Sequence, residues 1–171
     1  MILENSKNSW HYINEGITSV NYNNFKKALS RFDKALQIES DNLVAQFHKG
    51  STLCKLEKFS EAMSCFEKVI ENDPKNIDAL YNKGLTLSKL GNQQEAISCF
   101  DKILEIDPNY ADALTQKGAT LSKLGKHDEA ITCLDKVLES DSKNSSALYN
   151  KSVVLGRLGL NSDSIFYLNK A

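Results

Sequence analysis

Residues 82–91 read Asn-Lys-Gly-Leu-Thr-Leu-Ser-Lys-Leu-Gly, and residues 116–125 read Gln-Lys-Gly-Ala-Thr-Leu-Ser-Lys-Leu-Gly, nearly the same string after a step of 34. The step extends outward in both directions. Gly16, Gly50, Gly84 and Gly118 keep it, with Ser152 next in phase, and Ala28, Ala62, Ala96 and Ala130 keep it with Ser164 following. Phe32, Phe66 and Phe100 pass to Leu134 and Leu168, while Leu53, Leu87, Leu121 and Leu155 form a further series. Several series in one phase mean a repeated supersecondary unit whose copies stack to bury a shared core. Four units, 9–42, 43–76, 77–110 and 111–144, are followed by a shortened fifth at 145–171, and residues 1–8 form an N-terminal flank.

Within a unit the apolar residues keep helical spacing, as Leu80, Leu87 and Leu90 and then Ile97, Phe100, Ile103 and Leu104 illustrate. Each unit is therefore two helices. Between them stand Gly91, Gly125 and Gly159, where a helix C-terminus needs a residue that tolerates positive φ. Asn23 is the next-best choice at that place, and Glu57 departs from the pattern at some cost. Asp73-Pro74 and Asp107-Pro108 end second helices, because proline has no donor and restricts the residue before it. Gly84 and Ala96 leave room for a close approach of two helices, with Phe100 filling the space beside them.

Composition agrees with an all-α chain. Only 2 prolines and 8 glycines occur among 171 residues, and 41% of the chain is apolar. The 21 basic residues nearly balance the 22 acidic ones, which removes the global electrostatic support that non-specific nucleic-acid binding needs. No apolar run is long enough to cross a bilayer, and Met1-Ile2-Leu3-Glu4-Asn5 lacks the start of a signal peptide, so a cytoplasmic location is expected. Cys65, Cys99 and Cys133 recur once per unit, on helices packed about 8–10 Å apart. That spacing exceeds the reach of a disulfide, so with Cys54 they are expected as reduced thiols.

Taken together, these residues resemble the tetratricopeptide repeat family, whose unit is two antiparallel helices with small residues at its eighth and twentieth positions. The resemblance covers residues 9–171. The family also prefers a large residue at the fourth position, aromatics at the seventeenth and twenty-fourth and alanine at the twenty-seventh, which Tyr12, Phe25, Phe32 and Ala35 satisfy. Lys49, Lys83, Lys117 and Lys151 replace the usual leucine before the glycine, and Gln93, His127 and Asn161 replace the aromatic at the seventeenth position. The resemblance implies a right-handed superhelical solenoid of antiparallel helix pairs that binds a peptide in a concave groove.

Catalysis needs a nucleophile, a base and stabilising donors in one place, and no such constellation is visible, so no enzymatic activity and no cofactor are expected. His11, His48 and His127 fall in different units at different phases, and no His or Cys pair has ligand spacing, so no metal is expected. Helical repeats of similar length read RNA, but the near-neutral charge argues against nucleic acid as partner.

The resemblance places the groove along the first helices. By phase that face carries Trp10, Ile13, Asn14 and Ile17, then Phe47, His48 and Ser51, then Tyr81, Asn82 and Leu85, then Thr115, Gln116 and Ala119, and finally Tyr149, Asn150 and Val153. Its sixth position, Asn14, His48, Asn82, Gln116 and Asn150, is always polar and suited to an extended peptide backbone. The thirteenth adds Lys55, Lys89, Lys123 and Arg157, which would favour an acidic protein or peptide. Relatives that hold acidic chaperone tails use a Lys and an Asn in one unit, an Asn in the next and a Lys and an Arg in the third, where this chain has Ile13 with Ile17, His48, and Asp78 with Asn82, so a carboxylate clamp is not expected. Ile165 and Leu168 in the last second helix are expected to form an apolar edge suited to self-association.

Overall fold

The computed structural model describes the backbone of residues 2–171 and the side chains from Asn8 onward. Among these residues there are ten helices and no strand. They are α1 (Ile2–Asn21), α2 (Phe25–Ile38), α3 (Leu43–Lys55), α4 (Phe59–Asn72), α5 (Ile77–Leu90), α6 (Gln93–Ile106), α7 (Ala111–Lys123), α8 (His127–Ser140), α9 (Ser145–Arg157) and α10 (Asn161–Leu168). The starts of α2, α4, α6, α8 and α10 lie 34 residues apart, as do those of α3, α5, α7 and α9. Met1 lies outside the described residues, and residues 2–8 of the expected flank continue into α1.

The turn inside each pair is the same device repeated. Asn23, Glu57, Gly91, Gly125 and Gly159 all have positive φ, between 56° and 85°. The amide after each one reaches back to the helix it leaves, as in Lys58 N–H to Leu53 O (2.9 Å) and Lys126 N–H to Leu121 O (3.0 Å). These are the six-to-one bonds of a Schellman-type C-terminus. Glu57, at φ 58°, is the strained member, because its Cβ crowds the carbonyl in that region. Between pairs, aspartate works at the opposite kind of boundary: Asp73, Asp107 and Asp141 accept from the backbone N–H two residues on, at 3.0–3.2 Å. Asn42, Asn76 and Asn144 then cap the next helix by accepting from Ala45, Ala79 and Ala147 N–H at 2.9–3.0 Å.

The chain divides into two compact units, residues 1–86 and 87–171. In the first, α1 packs on α2, α2 on α3 and α3 on α4. Fully buried Ile13, Ala35 and Ala45 form one core, and Leu53, Ala62, Cys65 and Phe66 form the next. Gly16 and Gly50 permit the crossings: a Cβ on either would stand 2.4 Å from the Phe32 ring or 2.8 Å from the Phe66 ring. In the second unit α6 packs on α7, α7 on α8, α8 on α9 and α9 on α10, around Leu114, Leu121, Leu134, Val137 and Val154. Gly118 serves there as Gly50 does in the first. All four cysteines are free thiols, and burial raises the pKa of Cys65 and Cys133.

Candidate functional site

In the first unit the first-helix face centres on α3. Phe47 and His48 are half-buried neighbours with ring centroids 5.5 Å apart, edge to face. The His48 ring also stacks on Phe32 at 5.9 Å and 15°, and Phe47 tilts against Phe66 at 6.2 Å. Burial lowers the His48 pKa, so its imidazole is neutral at pH 7 and has one nitrogen to donate and one to accept. These rings are held by the same phenylalanines that fill the helix crossings, which fixes them before any ligand arrives. Beside them opens a recess of about 350 Å³ lined by Leu43, Val44, Phe47, His48, Val69, Asn76 and Asp78. Val44 is 37% exposed at its mouth.

The amides are aimed by their own helices. Asn82 Nδ2 donates to Asp78 O (2.8 Å) and Asn150 Nδ2 to Ser146 O (2.8 Å), which leaves each carbonyl oxygen free to accept from a ligand. Thr86 and Thr120 donate to the carbonyls of Asn82 and Gln116 at 2.7 Å, as Thr52 does to His48. Asn14 is exposed, Tyr81 and Gln116 are half-buried, and Tyr149 is 54% exposed. Ile13 and Thr115, by contrast, are withdrawn from the expected face, being 0% and 3% exposed.

Of the basic positions, Lys55, Lys89, Lys123 and Arg157 are all exposed. They are also held against the scaffold: Lys55 Nζ lies 6.0 Å from the Phe25 ring, Lys123 Nζ donates to Ser88 Oγ (3.2 Å), and Arg157 donates to Ser122 O and Oγ (2.9 and 3.0 Å), each on the preceding helix pair. These contacts restrain their side chains.

Sequence reasoning missed an ion-pair ladder. The lysines that replace the usual leucine each meet an acid sixteen residues earlier: Lys49 with Asp33 (2.7 Å), Lys83 with Glu67 (3.0 Å), Lys117 with Asp101 (2.6 Å) and Lys151 with Asp135. Burial alone would lower the pKa of Lys49, Lys117 and Lys151, yet the hydrogen bond and charge of the partner aspartate outweigh it and the net direction is upward. The signal was present as a second acidic series in phase with the lysines. Two recesses flank this ladder, one of about 430 Å³ with Asp33, Gln46, Lys49, Cys65 and Lys68, and one of about 330 Å³ with Asp135, Leu148, Lys151, Tyr167 and Lys170. The first exceeds the α3 recess in volume. Its central lysine and aspartate are already committed to each other. Among the described residues no group of acidic, His or Cys side chains is placed to hold a metal ion, and no helix is long and apolar enough to cross a membrane.

The same architecture occurs in solved structures. The protein YrrB, described as a TPR protein with an unusual peptide-binding site, is 29% identical, with a TM-score of 0.78 over 99% of this chain and 87% of its own. MamA from Desulfovibrio magneticus RS-1 has a TM-score of 0.86 at 18% identity, covering 95% of this chain and 92% of its own. A tetratricopeptide repeat protein from Parabacteroides merdae ATCC 43184 has a TM-score of 0.87 at 20% identity, covering 95% of this chain and 65% of its own. No curated protein matches the chain. Tetratricopeptide repeat models match residues 77–110 and 99–132, and a TPR repeat model matches residues 50–91. Residues 50–132 are thus matched without a gap by tetratricopeptide repeat models, and the same helix-pair step continues on both sides.

Proposed function

We propose that this chain is a protein-interaction module, a scaffold or adaptor that holds an extended or helical segment of a partner against its first-helix face. The observation that carries the reading is the recess beside Phe47 and His48, whose rings are preset by Phe32 and Phe66. A preset apolar recess with a few convergent polar groups binds at low ordering cost. The peptide-binding description of YrrB supports the same class of activity. Exposed Lys55, Lys89, Lys123 and Arg157 favour acidic stretches in the partner. The module is read as non-enzymatic and cytoplasmic.

Titrating acidic peptides, basic peptides and single-stranded RNA at low and physiological salt tests the reading. Acidic peptides are expected to bind best. RNA binding with a steep salt slope, in the absence of peptide binding, would replace this class with a nucleic-acid one.

A second reading, self-association, has its own observation. Ile165, Phe166 and Leu168 on α10 are 58%, 52% and 50% exposed, whereas Phe32, Phe66, Phe100 and Leu134 in phase with Leu168 are fully buried. If this edge joins two copies, Leu168→Lys reduces concentration-dependent light scattering and leaves the helical content of the earlier pairs intact. A wild-type protein that stays monomeric at high concentration removes the reading.

A further inference from the structure

The α3 recess has a definite charge. Six of its lining residues are apolar or neutral, since Asn76 is an amide and His48 is uncharged at pH 7, and the seventh is the Asp78 carboxylate in the first turn of α5. No lysine or arginine lines the recess, and among the described residues none forms an ion pair with Asp78. Asn76 does not compensate: its Oδ1 accepts from Ala79 N–H and its Nδ2 donates to Asp73, so it is spent on capping. Lys55, the basic residue at the other end of α3, is seven residues beyond His48, about 10 Å along the helix. At that distance its charge is screened at physiological salt. The apolar walls come from Leu43, Val44, Phe47 and Val69.

We infer that the α3 recess takes a bulky apolar side chain of the partner, with a lysine or arginine next to it in sequence set against Asp78. The partner then carries a short apolar-basic motif here even where its remainder is acidic. The inference rests on the peptide-binding reading above and adds the residue pair that the recess selects. Asp78 also suits a helix N-terminus on dipole grounds alone. That role requires no preference in a ligand, so ligand preference separates the two.

The test is a selection of displayed random nonapeptides on the wild-type protein, on Asp78→Lys and on Val44→Lys, each first checked by circular dichroism for unchanged helix content. With wild type, Leu, Met or Phe followed or preceded by Lys or Arg is expected about threefold above its frequency in the library, the discrimination that one partly exposed ion pair supplies. Asp78→Lys is expected to exchange the flanking Lys or Arg for Asp or Glu while keeping the apolar residue. Val44→Lys, which fills the mouth of the recess, is expected to lose the apolar residue. An acidic flank with wild type, or the same basic flank with Asp78→Lys, overturns the motif. If that acidic consensus still vanishes with Val44→Lys, the peptide-binding reading survives without it. Absence of any enriched sequence with wild type overturns both.

Discussion

The pairs α3–α4 and α7–α8 occupy the same register and solve the same problem with different side chains. In the first, Gly50 faces Phe66 and the turn is made by Glu57 at φ 58°; in the second, Gly118 faces Leu134 and the turn is made by Gly125 at φ 78°. Asn42 caps α3 through its side chain, whereas Tyr110 precedes α7 without a side-chain cap. On the exposed side, α3 presents Phe47 and His48 where α7 presents Thr115, buried, and Gln116. The aromatic choice at the crossing and the aromatic choice at the face are linked in the first pair, because Phe66 supports Phe47 directly. One pair is thus built tight, with a strained turn and a preset recess, and the other is built from more permissive parts.

The largest expected difference lies at the crossings. A Cβ at residue 50 would sit 2.8 Å from the buried Phe66 ring and 3.1 Å from Cys65 Cβ, and one at residue 118 would sit 3.0 Å from the more adaptable Leu134 side chain and 3.2 Å from Ala130 O. Gly50→Ala should cost about 2 kcal/mol and Gly118→Ala about 1 kcal/mol or less, after the helix-propensity gain of alanine. Adding Phe66→Leu to Gly50→Ala should recover part of the loss, which urea unfolding of the two single variants and the double variant would establish. Equal losses at the two glycines would break the comparison.

The turns come next in size. Glu57→Gly should stabilise the protein by about 0.5–1 kcal/mol, since glycine accepts the positive φ without Cβ strain, and Gly125→Glu should destabilise it by a similar or larger amount. Thermal unfolding in both directions checks the sign.

The smallest effect belongs to the ladder that the two pairs share. Lys49 and Lys117 have pKa values raised above the ordinary 10.5 by their aspartates. A raised folded value contributes stability that is complete below the unfolded value and is lost as pH rises through the folded one. The lysines are 28% and 24% exposed and their partners 49% and 46%, so solvent screens each pair to about 0.5 kcal/mol. Lys117→Met should therefore flatten part of the stability loss as pH rises above 10.5 in urea titrations, and an unchanged alkaline slope would show that the pair adds nothing.

Much of this was legible in the residues. The 34-residue step set the helix starts, and Gly91, Gly125 and Gly159 marked positive φ because few other residues adopt it without strain. Even Glu57 could be named as the odd member of that series. Phase alone could not tell which side chains of a first helix reach the surface. Ile13 shares its unit with Asn14 but is drawn into the core by Ala35 and Ala45, and that depends on tertiary packing. The recess at α3 was invisible for the same reason: Val69 from α4 and Asp78 from α5 meet Phe47 only after three helices have packed. The ladder was legible in principle, because Asp33, Glu67, Asp101 and Asp135 keep the same step as their lysines.

The central claim is that ligands bind at the α3 face and not at the larger recess beside the Lys49–Asp33 pair. Backbone amide shifts in a ¹⁵N-labelled sample titrated with a peptide enriched in the selection test it directly. Val44, Phe47, His48, Ser51 and Asp78 are expected to move in a saturable way, with Asp33, Lys49, Ser64 and Lys68 unchanged. Saturable movement of the second set with the first set still would contradict the account.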